Sequence, residues 1–218
     1  MPVNRNLVAL AALVALLGCA ARADEKVRGA ELFSLCAQCH GPNAGGSELA
    51  MAPNIAGLPE WFLVAQLKAF RSGLRGLHPD DTGGLRMAPM SQFLRSDADL
   101  MAVAAHIAHM PPVLAPPSVE GGDAQRGATL YTPCTACHGA DGGGNQALNA
   151  PPLRGRSDWY LLASLQKFKA GIRGGKADNP NAALMRGMAQ ILADEQAMKD
   201  VVSYIDSLSR QTAANAAK

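Results

Sequence analysis

The chain has 218 residues, 48% of them hydrophobic but only 5% aromatic, with 22 glycines, 14 prolines and a formal net charge of +2. That length allows one or two domains of roughly 100–200 residues each, and the near-neutral charge offers nothing to attract nucleic acid or an anionic membrane. The composition suits small, loop-rich units with thin apolar cores of their own, which a large apolar cofactor would complete.

Residues 1–23 read as a secretory signal peptide. Arg5 lies in a short polar start, residues 7–17 are an unbroken run of Leu, Val and Ala, and Ala21-Arg22-Ala23 offers small residues for an export peptidase. The run is too short for a transmembrane helix, which needs about 20 residues. Leu16-Leu17-Gly18-Cys19 also resembles a bacterial lipoprotein box. Cleavage there would leave Cys19 lipidated; cleavage after Ala23 is the expectation and discards it. Removing residues 1–23 takes away Arg5 and Arg22 and no acid, leaving 18 basic against 18 acidic residues.

A first helix is expected over residues 27–37, followed at once by Cys36-Ala37-Gln38-Cys39-His40. Cys-x-x-Cys-His reads as a c-type haem attachment site. Two thiols three residues apart reach the two vinyl groups of one porphyrin, and the adjacent His points at the iron. Structural zinc would need ligands converging on one metal, a thioredoxin-like pair would need a βαβ context, and a plain disulfide would leave the His unexplained. A second helix is expected over 61–72, with Leu63, Leu67 and Phe70 at helical spacing. A loop then carries Met87-Ala88-Pro89-Met90, and a third helix follows over 98–109, with Asp97 where helix starts favour acids.

Pro111, Pro112, Pro116 and Pro117 follow within seven residues and preclude a regular helix. The chain then repeats itself. His138 lies 98 residues after His40, and the same offset pairs Gly29 with Gly127, Pro53 with Pro151, Trp61 with Trp159, Arg75 with Arg173, Met87 with Met185, and Met90 with Met188. One register held across both halves marks a tandem duplication. The second copy has its motif at Cys134-Thr135-Ala136-Cys137-His138 and helices expected over 123–136, 159–170 and 195–209, with Asp194 at the last helix start. The expected layout is a signal peptide (1–23), a first domain (24–110), a Pro-rich linker (111–120), a second domain (121–210) and a C-terminal tail (211–218). No stretch alternates as a strand would, so the class is all-α.

A six-coordinate haem needs a ligand opposite each His, and Met is the expected type for electron transfer. Each half offers two, and the repeat alone does not choose between them. With these residues on the page, the chain resembles a class I cytochrome c and is most similar to the dihaem cytochrome c4 family. The resemblance rests on Gly29-Ala-Glu-Leu-Phe33, the haem motif, Ala52-Pro53-Asn-Ile-Ala-Gly57 and residues 61–75, each recurring in the second half. It implies two tandem class I domains with two covalently bound haem c groups, attached through Cys36 and Cys39 and through Cys134 and Cys137. His40 and His138 would be the proximal ligands. In the family the ligand Met precedes a Leu by seven residues, which fits Met87 with Leu94 and Met185 with Leu192, leaving Met90 and Met188 as packing. The carbonyls of Pro53 and Pro151 would bond the proximal rings. Gly29 and Gly127 would let the first helix cross the last, opposite His106 and Tyr204, with His106 a packed residue rather than a ligand. His78 and His109 read as surface residues.

The expected function is a periplasmic, non-enzymatic carrier of single electrons. It would run between a quinol-oxidising complex or dehydrogenase as donor and a terminal oxidase or reductase as acceptor. The alternative is a cytochrome subunit of a substrate-oxidising enzyme, such as a flavin-linked sulfide dehydrogenase. No nucleic-acid partner is expected, and membrane contact only if Cys19 is lipidated. A haem peroxidase would need one open iron position, which two matched Met motifs argue against.

Overall fold

A computed structural model describes residues 26–175 and 179–216. The signal segment 1–23, with Cys19, lies outside the described residues. Within them the protein is helices and loops, with two isolated β-bridges, Ser47 to Ala52 and Asn145 to Ala150. The first half contains α1 (residues 26–40), α2 (Glu60–Arg71), α3 (Thr82–Gln92) and α4 (Asp97–Ala108). The second contains α5 (Ala124–Tyr131), a 3₁₀ turn (Thr132–Cys134), α6 (Thr135–His138), α7 (Asp158–Lys169), α8 (Pro180–Gln190) and α9 (Glu195–Ala216). No described helix is long and apolar enough to cross a membrane.

Three differences from the sequence reading have clear causes. The methionine segments are helices, not loops. Their Gly and Pro content hides the helical pattern, but Asp81 caps α3 by accepting from Gly84 N at 3.0 Å, and Asn179 caps α8 by accepting from Ala182 N at 3.2 Å. The first helix of the second half breaks into three pieces, because Pro133 stands where the first half has Leu35. The last helix runs on to Ala216, through a segment rich in alanine, instead of ending at 209. At the start of α4 the cap is Ser96, which accepts from Asp99 N; its repeat partner Asp194 does the same for Ala197 N.

Each half has its own core. Phe33, Leu63, Leu67, Leu94, Leu100, Val103 and Ile107 form the first, and Tyr131, Leu192, Met198, Val201 and Ile205 the second. In both, the first helix lies across the last at a glycine. A Cβ on Gly29 would sit 2.4 Å from Ala102 O, and one on Gly127 only 1.9 Å from Asp200 O. That contact seats Phe33 against His106 and Tyr131 against Tyr204, both with ring centroids 5.4 Å apart. It also fixes where the haem motif at the end of the first helix points. The Gly127→Ala variant should lose about 1–3 kcal/mol of stability through overpacking, measured by denaturant unfolding; an unchanged midpoint would contradict the close crossing.

Candidate haem sites

Each haem motif ends a helix and leads into a loop that doubles back over it. Gly46 N donates to His40 O and Gly144 N to His138 O, both at 2.8 Å, and the two β-bridges close the loops. Gly46 and Gly144 have φ of +88° and +81°, and a Cβ on either would lie 2.5–2.6 Å from the backbone N of Asn54 or Pro152. Only glycine fits there. The fold-back brings Pro53 O to 2.8 Å from His40 Nδ1, and Pro151 O to 2.9 Å from His138 Nδ1.

A carbonyl only accepts, so Nδ1 carries the proton in each ring and Nε2 keeps its lone pair. The rings are 8% and 5% exposed. Burial pushes their pKa values down, against the opposing pull of the proline carbonyls. Each imidazole is therefore held neutral and oriented, the form a metal binds.

No disulfide joins the four thiols of the motifs. Burial pushes the Cys36 thiol up to about 11 and raises Cys134 as well. Among the described residues no three His, Cys, Asp or Glu side chains converge on one point. Attachment to a porphyrin rim and ligation of its iron would give the thiols and the imidazole of each motif separate targets.

One continuous cavity of about 1600 Å³ runs through both halves. Its wall includes His40, His138, Pro53, Pro151, Trp61, Trp159 and both methionines of each pair, Met87 and Met90, Met185 and Met188. Met87 also packs on the first core. Cys36, Cys39 and Cys134 line the cavity too. His106 packs on Phe33, and His78 and His109 are exposed.

The seam between the halves was not legible as a site. Asn54, only 1% exposed, accepts from Ser157 N at 2.9 Å and donates through Nδ2 to Val113 O at 2.9 Å and Gly155 O at 2.6 Å. Arg156 reaches Asn54 O and Ala56 O, and Arg75 of the first half donates to Tyr160 OH of the second at 2.6 Å. Arg75 and Arg173 also lie over the rings of Phe70 and Phe168, 4.4 and 4.2 Å from the centroids. The Nε atoms of Arg75 and Arg156 are buried without a partner among the described residues, in the wall of the same cavity. Buried donors of this kind call for an acceptor, and haem carboxylates supply that chemistry. The available signal was the breaks in the repeat: Arg156 for Leu58, Tyr160 for Phe62, Lys167 for Ala69.

The geometry and the comparisons with known proteins agree on the class. The sequence profile of the cytochrome c family matches residues 27–111 and again residues 124–209. The chain is a tandem c-type cytochrome with two covalently bound haem c groups. It is 31% identical to cytochrome c4 of Azotobacter vinelandii, over 94% of this chain and 99% of that one. It is 35% identical to a "thiosulfate dehydrogenase electron acceptor" of Stutzerimonas stutzeri (strain A1501), over 81% of this chain and 80% of that one. The crystal structure of reduced recombinant cytochrome c4 from Pseudomonas stutzeri superposes with a TM-score of 0.64 at 28% identity, covering 81% of this chain and 95% of that one. The protein belongs to the dihaem cytochrome c4 family, and it is an electron-transfer cytochrome.

Asn54→Ala would strand the Ser157 N–H and the Gly155 and Val113 carbonyls inside the seam. The expected cost is about 1–3 kcal/mol, with the two halves unfolding in separate steps where the parent unfolds in one. Calorimetry on the holoprotein reads both; an unaltered single transition would contradict the role of the seam.

Proposed function

We propose that the protein is an exported carrier that passes single electrons and performs no chemistry on a substrate of its own. The observation that carries this reading is that, in each half, a proline-held imidazole and a methionine-bearing helix line the same cavity. Each haem c, when bound, supplies an iron that cycles between ferric and ferrous, taking and releasing one electron. His40 and Met87 would hold the iron of the first haem, and His138 and Met185 that of the second. Cys36, Cys39, Cys134 and Cys137 attach the two porphyrin rims. The carbonyls of Pro53 and Pro151 keep each imidazole oriented and electron-rich. Arg75 and Arg156, with buried Nε donors in the cavity wall, would face the haem carboxylates, and Trp61 and Trp159 in the same wall would pack at the haem edge. With a histidine and a methionine both committed to each iron, no position on it would be open to peroxide or another substrate.

The two halves, residues 24–110 and 121–210, act as domains joined by the linker at 111–120. The export signal at 1–23 places the carrier in the periplasm, with a membrane anchor only if Cys19 is lipidated. The donor is a quinol-oxidising complex or a dehydrogenase, and the acceptor a terminal oxidase or reductase. The relative named as an acceptor for thiosulfate dehydrogenase supports a dehydrogenase as donor. It also favours, as a second reading, a cytochrome subunit of a substrate-oxidising enzyme. A chain that stays with a dehydrogenase through purification would support that second reading; one reduced by it in free encounter supports the carrier.

Met87→Ala and Met185→Ala should each abolish about half of the far-red absorption band of methionine-ligated ferric haem, and the double variant should abolish all of it. Loss of the band in Met90→Ala or Met188→Ala instead would move the ligand to that residue.

A further inference from the structure

The two methionine-bearing helices are capped alike and anchored differently. Asp81 caps α3 and Asn179 caps α8, at equivalent positions of the repeat. Asp81 has a second bond that comes from the other half. Lys167 Nζ, on α7, donates to its Oδ1 at 2.6 Å, with side chains 26% and 3% exposed. The duplication offers no mirror image of this pair, because the equivalent positions hold Ala69 and Asn179. Burial alone would push the Asp81 carboxyl up, but Lys167, the Gly84 N–H and Arg75 hold it below its ordinary range. The carboxylate stays charged, and the pair stays intact. Tyr160, seven residues before Lys167 on α7, grips Arg75 just ahead of α3 and so adds a second tie on the same side. Removing one member of a buried pair strands the other charge and loosens what it held.

We propose that Lys167 is a positioning residue for the axial methionine of the first haem: from the second half it clamps the start of α3, making methionine ligation more resistant there than in the second half. This rests on the reading that α3 supplies the ligand, and it holds for Met87 and Met90 alike, since both ride on α3.

The test is made on the holoprotein with Lys167→Met and with the double variant Asp81→Asn, Lys167→Met. The double variant keeps a capping side chain, as Asn179 does in α8, and strands no carboxylate. Hydrogen exchange read by mass spectrometry compares α3 with α8, and the upfield methionine methyl resonances of the reduced protein are followed through a denaturant titration. In the parent, α3 amides should exchange more slowly than those of α8. Both variants should speed α3 exchange roughly tenfold, within the coupling range of residues in direct contact. They should also move loss of the first-half methyl signal to milder conditions, leaving α8 and the second-half signal unchanged. Equal protection of α3 and α8 in the parent, or unchanged α3 exchange in both variants, would overturn the proposal. So would faster α3 exchange with the first-half methyl signal unmoved. The methionine-to-alanine variants identify the ligating sulfur separately, so an error in that assignment appears there and not in the exchange data.

Discussion

The bond from each histidine ring to a proline carbonyl organises each half of this protein. It requires a helix that ends at the histidine, a glycine that lets the following loop turn back, and a short β-bridge that holds the loop closed. Given those, Nδ1 is occupied and Nε2 can face only the cavity. The helix crossing at Gly29 or Gly127 sets the direction of the helix that carries the motif. Residues of the remaining helices line the same cavity, the four methionines among them. A domain this small gains much of its buried apolar surface from the cofactor it wraps.

The duplication copies this arrangement, and the seam departs from it. Polar or charged side chains replace apolar ones at Arg156, Tyr160 and Lys167, and all three reach the first half or the cavity. Asn54, beside the ring-holding Pro53, is fully bonded across the seam and to the linker. The halves are therefore similar in chemistry and unequal in support.

The two haem motifs, and with them the number of haems, were legible in the sequence because the motif is local. Cys-x-x-Cys-His states its own geometry, and the offset of 98 residues carried every assignment from one half to the other. The helix pairs at 61–72 and 159–170 were found within a residue, since their apolar faces repeat at helical spacing. The methionine helices were missed because Gly83, Gly84 and Pro89 dilute the pattern, and a cap at Asp81 and packing on α2 decide the outcome. The break at Pro133 was visible as a proline but was outweighed by the expectation that the halves match. The seam was invisible for a different reason. Its bonds join residues about 85–103 positions apart, and no local rule reports them. Substitutions that break an otherwise regular repeat were the one clue.

The central claim is that the protein holds two haems, each closed by protein ligands on both faces, and uses them to move electrons singly. A spectroelectrochemical titration of the purified holoprotein tests it most directly. The account predicts two one-electron steps of equal absorbance amplitude, both haems low-spin in both oxidation states, and full reversibility. A single step of half the expected amplitude, or a high-spin component in either state, would contradict it.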